Sequence, residues 1–93
     1  MQKLTTTIKR GYFIPVLSRK KKIDYREIKE YWEKRLAKYK PPFLLRLING
    51  MSKQAPELTV QVIKVCRNNR KGMFELHLGK IGESKNVKGI VNP

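Results

Sequence analysis

Leu58-Thr59-Val60-Gln61-Val62-Ile63-Lys64-Val65, then the polar run Arg67–Gly72, then Met73-Phe74-Glu75-Leu76-His77-Leu78, is the stretch that decides the fold. Its first part is rich in Val, Ile and Thr, residues that suit a pleated, half-buried surface. Its last part alternates, with Phe74, Leu76 and Leu78 on one face and Met73, Glu75 and His77 on the other. Two strands about a polar turn are the expectation. Upstream, Phe43–Ile48 is apolar except for Arg46 and ends at Asn49-Gly50, a turn signal. Leu4–Lys9, threonine-rich and containing Ile8, reads as a first strand, and the short alternating Ile23–Glu27 as another.

Two helices complete the pattern. In Tyr12–Ser18 the pairs Phe13/Leu17 and Tyr12/Val16 are each four apart, and Pro15 is expected in the first turn, where backbone N–H groups lack partners anyway. Ile28, Tyr31, Trp32, Leu36 and Tyr39 form one apolar stripe, with Glu30 and Lys34 paired on the outer side. Lys40-Pro41-Pro42 ends that helix. The fold class is therefore α+β: about five short, mostly antiparallel strands in a small barrel or curled sheet, with two helices. Residues 1–82 make the domain. Residues 83–93 read as a loose tail, because Gly82, Gly89 and the terminal Asn-Pro outweigh the edge strand that Ile90 and Val91 offer.

Composition narrows function. Twenty-two Lys and Arg against seven Asp and Glu give +15, a field that attracts polyanions. Both halves of the chain are basic and 40% of residues are hydrophobic, so the charge belongs to a folded surface and not to a disordered tail. No apolar run approaches the roughly 17–20 residues of a membrane span. Met1–Lys9 lacks the apolar core of a secretory signal, which makes cytoplasmic the expected location. Binding to a membrane surface is disfavoured as well, since the stronger helix carries Glu27, Glu30 and Glu33. With one cysteine, Cys66, no internal disulfide or multi-cysteine zinc site forms. No His/Cys/carboxylate set has metal spacing, so neither metal nor cofactor is expected. Cys66 reads as a small core hydrophobe that His77 meets only by accident of folding, and His77 as a satisfied structural histidine.

The informative segment is Arg19-Lys20-Lys21-Lys22-Ile23-Asp24-Tyr25-Arg26-Glu27. Among so many cations a carboxylate has a use: Asp24 or Glu27 holds one guanidinium or ammonium in a single geometry and leaves its other donors for a phosphate or base edge. The competing reading has Asp24 capping the next helix, with Glu27 three residues on in a capping box.

The spacing Arg19-x-Lys21-x-x-Asp24-x-Arg26 resembles the Gly-x-Lys-x-x-Glu-x-Arg signature of the ASCH domain family. Tyr12–Ser18 resembles the aromatic-led helix preceding that signature, and Tyr25–Leu36 the stretch following it in short bacterial and phage members. Asn49-Gly50 with Ala55-Pro56 resembles a family loop, and Phe74–Ile81 the closing strand. Two positions depart: Arg19 stands at the signature glycine and Asp24 at the glutamate. The resemblance implies a PUA-like β-barrel whose signature lines a groove for RNA, such as tRNA or another structured RNA, or for a modified nucleoside. Some relatives hydrolyse N4-acetylcytidine with a Lys, Thr and Glu set. Lys21 matches that lysine, Asp24 stands where the threonine would be, and the glutamate has no clear counterpart.

The expected RNA contacts are Lys20, Lys21, Lys22, Asp24, Tyr25 and Arg26, with Tyr12 a further stacking residue. Arg46 either enters the groove or lays its stem on an edge strand. Lys64, Arg67, Arg70 and Lys71 ring the last turn as phosphate contacts. The enzymatic alternative, an amidohydrolase or ribonuclease, uses Lys21 as catalytic amine or base and Asp24 to orient it, with Glu75 and His77 as a further acid/base pair.

Overall fold

The computed structural model describes residues 1–90. Five strands, β1 (Lys3–Thr7), β2 (Ile23–Glu27), β3 (Phe43–Ile48), β4 (Glu57–Asn68) and β5 (Met73–Lys85), accompany two helices, α1 (Arg10–Leu17) and α2 (Glu30–Leu36). The sheet order is β1-β3-β4-β5-β2, with β1 parallel to β3 and the other three pairs antiparallel. The sheet is thus mixed and curls into a half-barrel whose edges are β1 and β2. Curvature comes from the long β4–β5 ladder, whose register shifts at three places between Leu58 and Lys64. Gly79 sits in this region, where a Cβ would fall 2.9 Å from the Ile63 side chain.

The concave side carries the core. Alternation turns Phe43, Leu45 and Leu47 of β3 and Phe74, Leu76 and Leu78 of β5 inward. They meet Leu58, Val60 and Val62 of β4, Leu4 of β1, Phe13 and Val16 of α1, and Trp32 and Leu36 of α2.

Both helices differ in extent from the sequence reading. α1 begins at Arg10, and its first turn closes on the Lys9 carbonyl, which accepts from Tyr12 and Phe13. Pro15 is consequently beyond the first turn. Its missing N–H leaves the Gly11 carbonyl without an intrahelical donor, and Gly11 is exposed to water. α2 is shorter than its apolar stripe: the Ile28 N–H still pairs with the Gly72 carbonyl, and Lys29 is the N-cap without a side-chain bond. Tyr31 is exposed, and Tyr39 lies past the helix in a turn. At the other end β5 runs to Lys85, which pairs with Glu57. Ile90 packs on the core from a turn and not from an edge strand; Val91 lies outside the described residues.

Arg46, on the outer face of β3, makes a two-pronged bond to Glu57, Nε to Oε2 at 2.7 Å and Nη2 to Oε1 at 2.9 Å. This hydrogen bond, together with the charge of Arg46, Lys85 and Lys3, outweighs partial burial and holds the Glu57 carboxyl below its ordinary value of 4.5. A carboxyl lowered in the folded state stabilises the fold above its unfolded value, and that contribution disappears as pH falls through the folded one. Urea unfolding of the wild type between about pH 6 and about pH 3 should therefore steepen in its loss of stability below about 4.5. Glu57→Gln should flatten that limb; identical slopes in the two proteins would show that the pair contributes nothing.

A groove between the two sheet edges

β1 and β2 do not pair with each other, and the opening between them is a groove of about 660 Å³. This lies within the roughly 300–1,000 Å³ of small-molecule sites. Its walls come from the end of β1, from α1, from β2 and from the start of α2, and include Lys9, Tyr12, Lys21, Asp24, Tyr25, Arg26, Glu27, Lys29 and Trp32.

Local structure explains how the cationic segment reaches it. After α1 the Arg19 N–H bonds to the Val16 carbonyl and the Lys21 N–H to the Pro15 carbonyl at 3.0 Å, which turns the chain back along the helix. Arg19 makes that turn at φ 67°, the left-handed region that favours glycine. The position is the one where the ASCH signature has its glycine. β2 then alternates: Asp24 and Arg26 face inward, while Ile23, Tyr25 and Glu27 take the other face and pair with His77, Glu75 and Met73, with exposed Tyr25 and Glu27 still bordering the groove from this edge strand.

Asp24 is only 4% exposed, a buried charge that requires a partner. Arg26 supplies it, Nε to Oδ1 at 2.6 Å and Nη2 to Oδ2 at 3.1 Å. The same guanidinium donates Nη1 to the Thr7 carbonyl at 3.2 Å and lies 5.0 Å from the Trp32 ring centroid. Arg26 therefore spans the groove floor from β2 to β1. Three of its five N–H groups are used in these bonds and two remain. Asp24 is in mid-strand and α2 has no side-chain cap, so the capping-box reading is replaced by the clamp.

At the rim, the Lys21 ammonium lies 4.7 Å from the centroid of the Tyr12 ring and 5.2 Å from that of Tyr25. Lys71, from the β4–β5 turn, also approaches the Tyr25 ring, at 5.9 Å from its centroid. Both tyrosines are exposed. Among the described residues, Lys9, Lys21 and Lys29 make no ion pair, so the mouth of the groove is cationic and its floor is neutralised by Asp24.

The other candidates from the sequence lie elsewhere. Lys20 and Lys22 are exposed beside the groove without lining it. Arg46 is committed to Glu57 on the opposite flank. Arg67 pairs with Glu33 over the Phe74 ring beside a second, shallower depression, and Arg70 is exposed in the turn. Glu75 and His77 lie on the outer face of β5, outside the groove lining. Cys66 is half-buried on β4, and His77 has a buried Nε2 with no hydrogen-bond partner among the described residues, which corrects its reading as a satisfied structural histidine. Trp32 is a core residue, as its i, i+4 stripe announces, and it also lines the groove, where its aromatic ring answers to the alternative reading of a base-stacking group.

Comparison with protein-family models and with curated proteins finds no match to this chain.

Two outcomes check this geometry. Asp24→Ala and Arg26→Ala should each cost about 2 kcal/mol, because either leaves a desolvated partner, with a double-mutant coupling of about 1 kcal/mol or more. Additive single effects in urea unfolding would dissolve the clamp. Arg19→Gly should fold like the wild type, whereas Arg19→Val should lose about 1–2 kcal/mol by forcing a β-branched residue to positive φ.

Proposed function

We propose that the protein is an RNA-binding module of the ASCH type, PUA-like in fold, that takes an unstacked base or nucleoside into the groove between β1 and β2. The carrying observation is the juxtaposition there of an Arg26 held by Asp24 with a Lys21 held between Tyr12 and Tyr25. Single-stranded bases are recognised by stacking on aromatic or guanidinium planes and by directed hydrogen bonds. Exposed Tyr12 and Tyr25 offer the planes, and the two remaining N–H groups of Arg26 offer the bonds. The phosphates on either side meet Lys9, Lys21 and Lys29, with Lys20, Lys22, Arg70 and Lys71 further out.

Two further features support the family reading. The signature-matching residues Lys21, Asp24 and Arg26 converge on one groove. The departure at Arg19 occurs at a left-handed backbone position, where a glycine would be the natural occupant. A curled mixed sheet with a helix on each side of β2 accords with the PUA-like expectation.

The hydrolytic alternative asks Lys21 to act as an amine or base and Asp24 to relay a proton. Both Asp24 oxygens already accept from Arg26, and the Lys21 ammonium lies against the Tyr12 and Tyr25 rings. Such an arrangement suits fixed charge and binding more than proton transfer. Turnover of N4-acetylcytidine or RNA that Lys21→Ala abolishes would establish the enzyme instead.

The direct test is fluorescence anisotropy with labelled tRNA and single-stranded RNA at several salt concentrations. Log affinity should fall linearly with log salt, by roughly 0.7–0.9 per phosphate engaged. Tyr25→Ala should weaken binding by about 5- to 100-fold, the loss of one stacked base. Lys53→Ala, away from the groove, should weaken it far less. No binding near physiological salt, or equal losses for the two variants, would overturn the reading.

A further inference from the structure

The outer face of the sheet brings together residues that are distant in sequence. Cys66 and Glu75 are direct partners in the β4–β5 ladder, and His77 is two residues beyond Glu75 on the same face. One donor atom from each lies within 4.8 Å of the others. The His77 Nε2 is buried without a hydrogen-bond partner among the described residues and lies 3.8 Å from Glu75 Oε1. A buried imidazole nitrogen left unpaired calls for a partner beyond the described residues.

The carboxylate is aimed. The Lys71 backbone N–H donates to Asn68 Oδ1 at 3.1 Å, which fixes that amide; its Nδ2 then donates to Glu75 Oε2 at 3.1 Å. The second oxygen is thereby anchored from the turn, and Oε1 is the one left toward His77. Outer-shell bonds of this kind orient ligands in metal sites.

We infer that Cys66, Glu75 and His77 form a binding site for a zinc-class divalent cation, outside the groove lining, with Glu75 facing Tyr25 across the β2–β5 ladder. Sulfur, imidazole nitrogen and one carboxylate oxygen are a borderline-soft donor set, which selects Zn²⁺ over the hard cations. Zinc bonds of about 2.0–2.3 Å in a tetrahedron place donors roughly 3.3–3.6 Å apart, so the three need to close by about 1 Å, within reach of small χ rotations. Binding takes the thiol proton of Cys66 to solvent. The thiolate and carboxylate then offset the dication, against the repulsion of Lys64, which faces His77 across the ladder. A fourth position is left to water, as in open zinc sites.

The chain has one cysteine and one histidine, so each spectroscopic signal has a single source. Cobalt(II) titrated into the reduced native protein should give a thiolate-to-metal charge-transfer band that saturates at one equivalent and is bleached by Zn²⁺. Cys66→Ser should abolish the band, and Glu75→Gln and His77→Gln should each weaken metal binding at least about tenfold. On the wild type alone, Zn²⁺ should slow alkylation of the Cys66 thiol, a readout that requires no variant to fold. Absence of the charge-transfer band with metal in excess, an unchanged alkylation rate, or folded Glu75→Gln and His77→Gln proteins that bind like the wild type would each overturn the site.

Discussion

The outward-facing carbonyls of β1 are the constraint on which the structure turns. Gln2 and Ile8 use their backbone groups on β3, so the carbonyls of Lys3, Thr5 and Thr7 point into the opening of the half-barrel. An edge left like this is a template for association and a row of unmet acceptors. Side chains meet the need here. Tyr39 Oη donates to Lys3 at 3.3 Å, Arg35 Nη2 to Thr5 at 2.7 Å and Arg26 Nη1 to Thr7 at 3.2 Å. The open side of the half-barrel is bridged along β1 by guanidinium and phenol groups. Long side chains keep β1 and β2 further apart than a ladder would, and that separation is the groove.

This closure explains why a buried carboxylate is present in so basic a molecule. A guanidinium on the groove floor needs a counter-charge to be held in one geometry, and Asp24 supplies it from the same strand face, two residues away. The bidentate fork is the reason for Arg over Lys at this position, since only the planar guanidinium binds a carboxylate, a carbonyl and an indole face at once. Arg35 repeats the solution one turn along, stacked 5.3 Å from Trp32 while it holds Thr5. Trp32 is thus fixed between the core and two cations.

Much of the fold was legible. β2 and β3 were read with their observed limits because each is short, patterned and bounded by polar or turn residues. The β4–β5 ladder was recognised by composition, but its length was not: past Leu78 the apolar alternation gives way to Gly, Lys and Glu, and pairing alone carries β5 to Lys85. The pattern places α1 at Tyr12–Ser18 to keep Pro15 in the first turn, whereas the helix opens at Arg10, because the carbonyl that Pro15 leaves free is that of exposed Gly11. Of the site, Lys21, Asp24, Tyr25 and Arg26 were found because they are adjacent in sequence. Arg46 was not separable from them, since its partner Glu57 is on another strand. The Cys66–Glu75–His77 cluster was rejected on spacing, a test suited to ligands from one loop or helix and blind to ligands that meet across a ladder.

β2 then carries more than its five residues suggest. Its inward residues, Asp24 and Arg26, build the groove floor, and its outward residues, Ile23 and Tyr25, pair with His77 and Glu75. A strand that serves two faces must hold its register, because a slip of one residue would bury Tyr25 and expose the Asp24–Arg26 clamp. That register is secured at both ends by backbone bonds beyond the strand: Leu78 donates to the Lys22 carbonyl at 2.8 Å and Ile28 to the Gly72 carbonyl at 2.9 Å. The left-handed Arg19 and the Lys21–Pro15 bond fix where the strand begins. The segment from Arg19 to Glu27 is therefore a braced turn and strand that holds Lys21, Asp24, Tyr25 and Arg26 at the groove, while Lys20 and Lys22 stay exposed beside it.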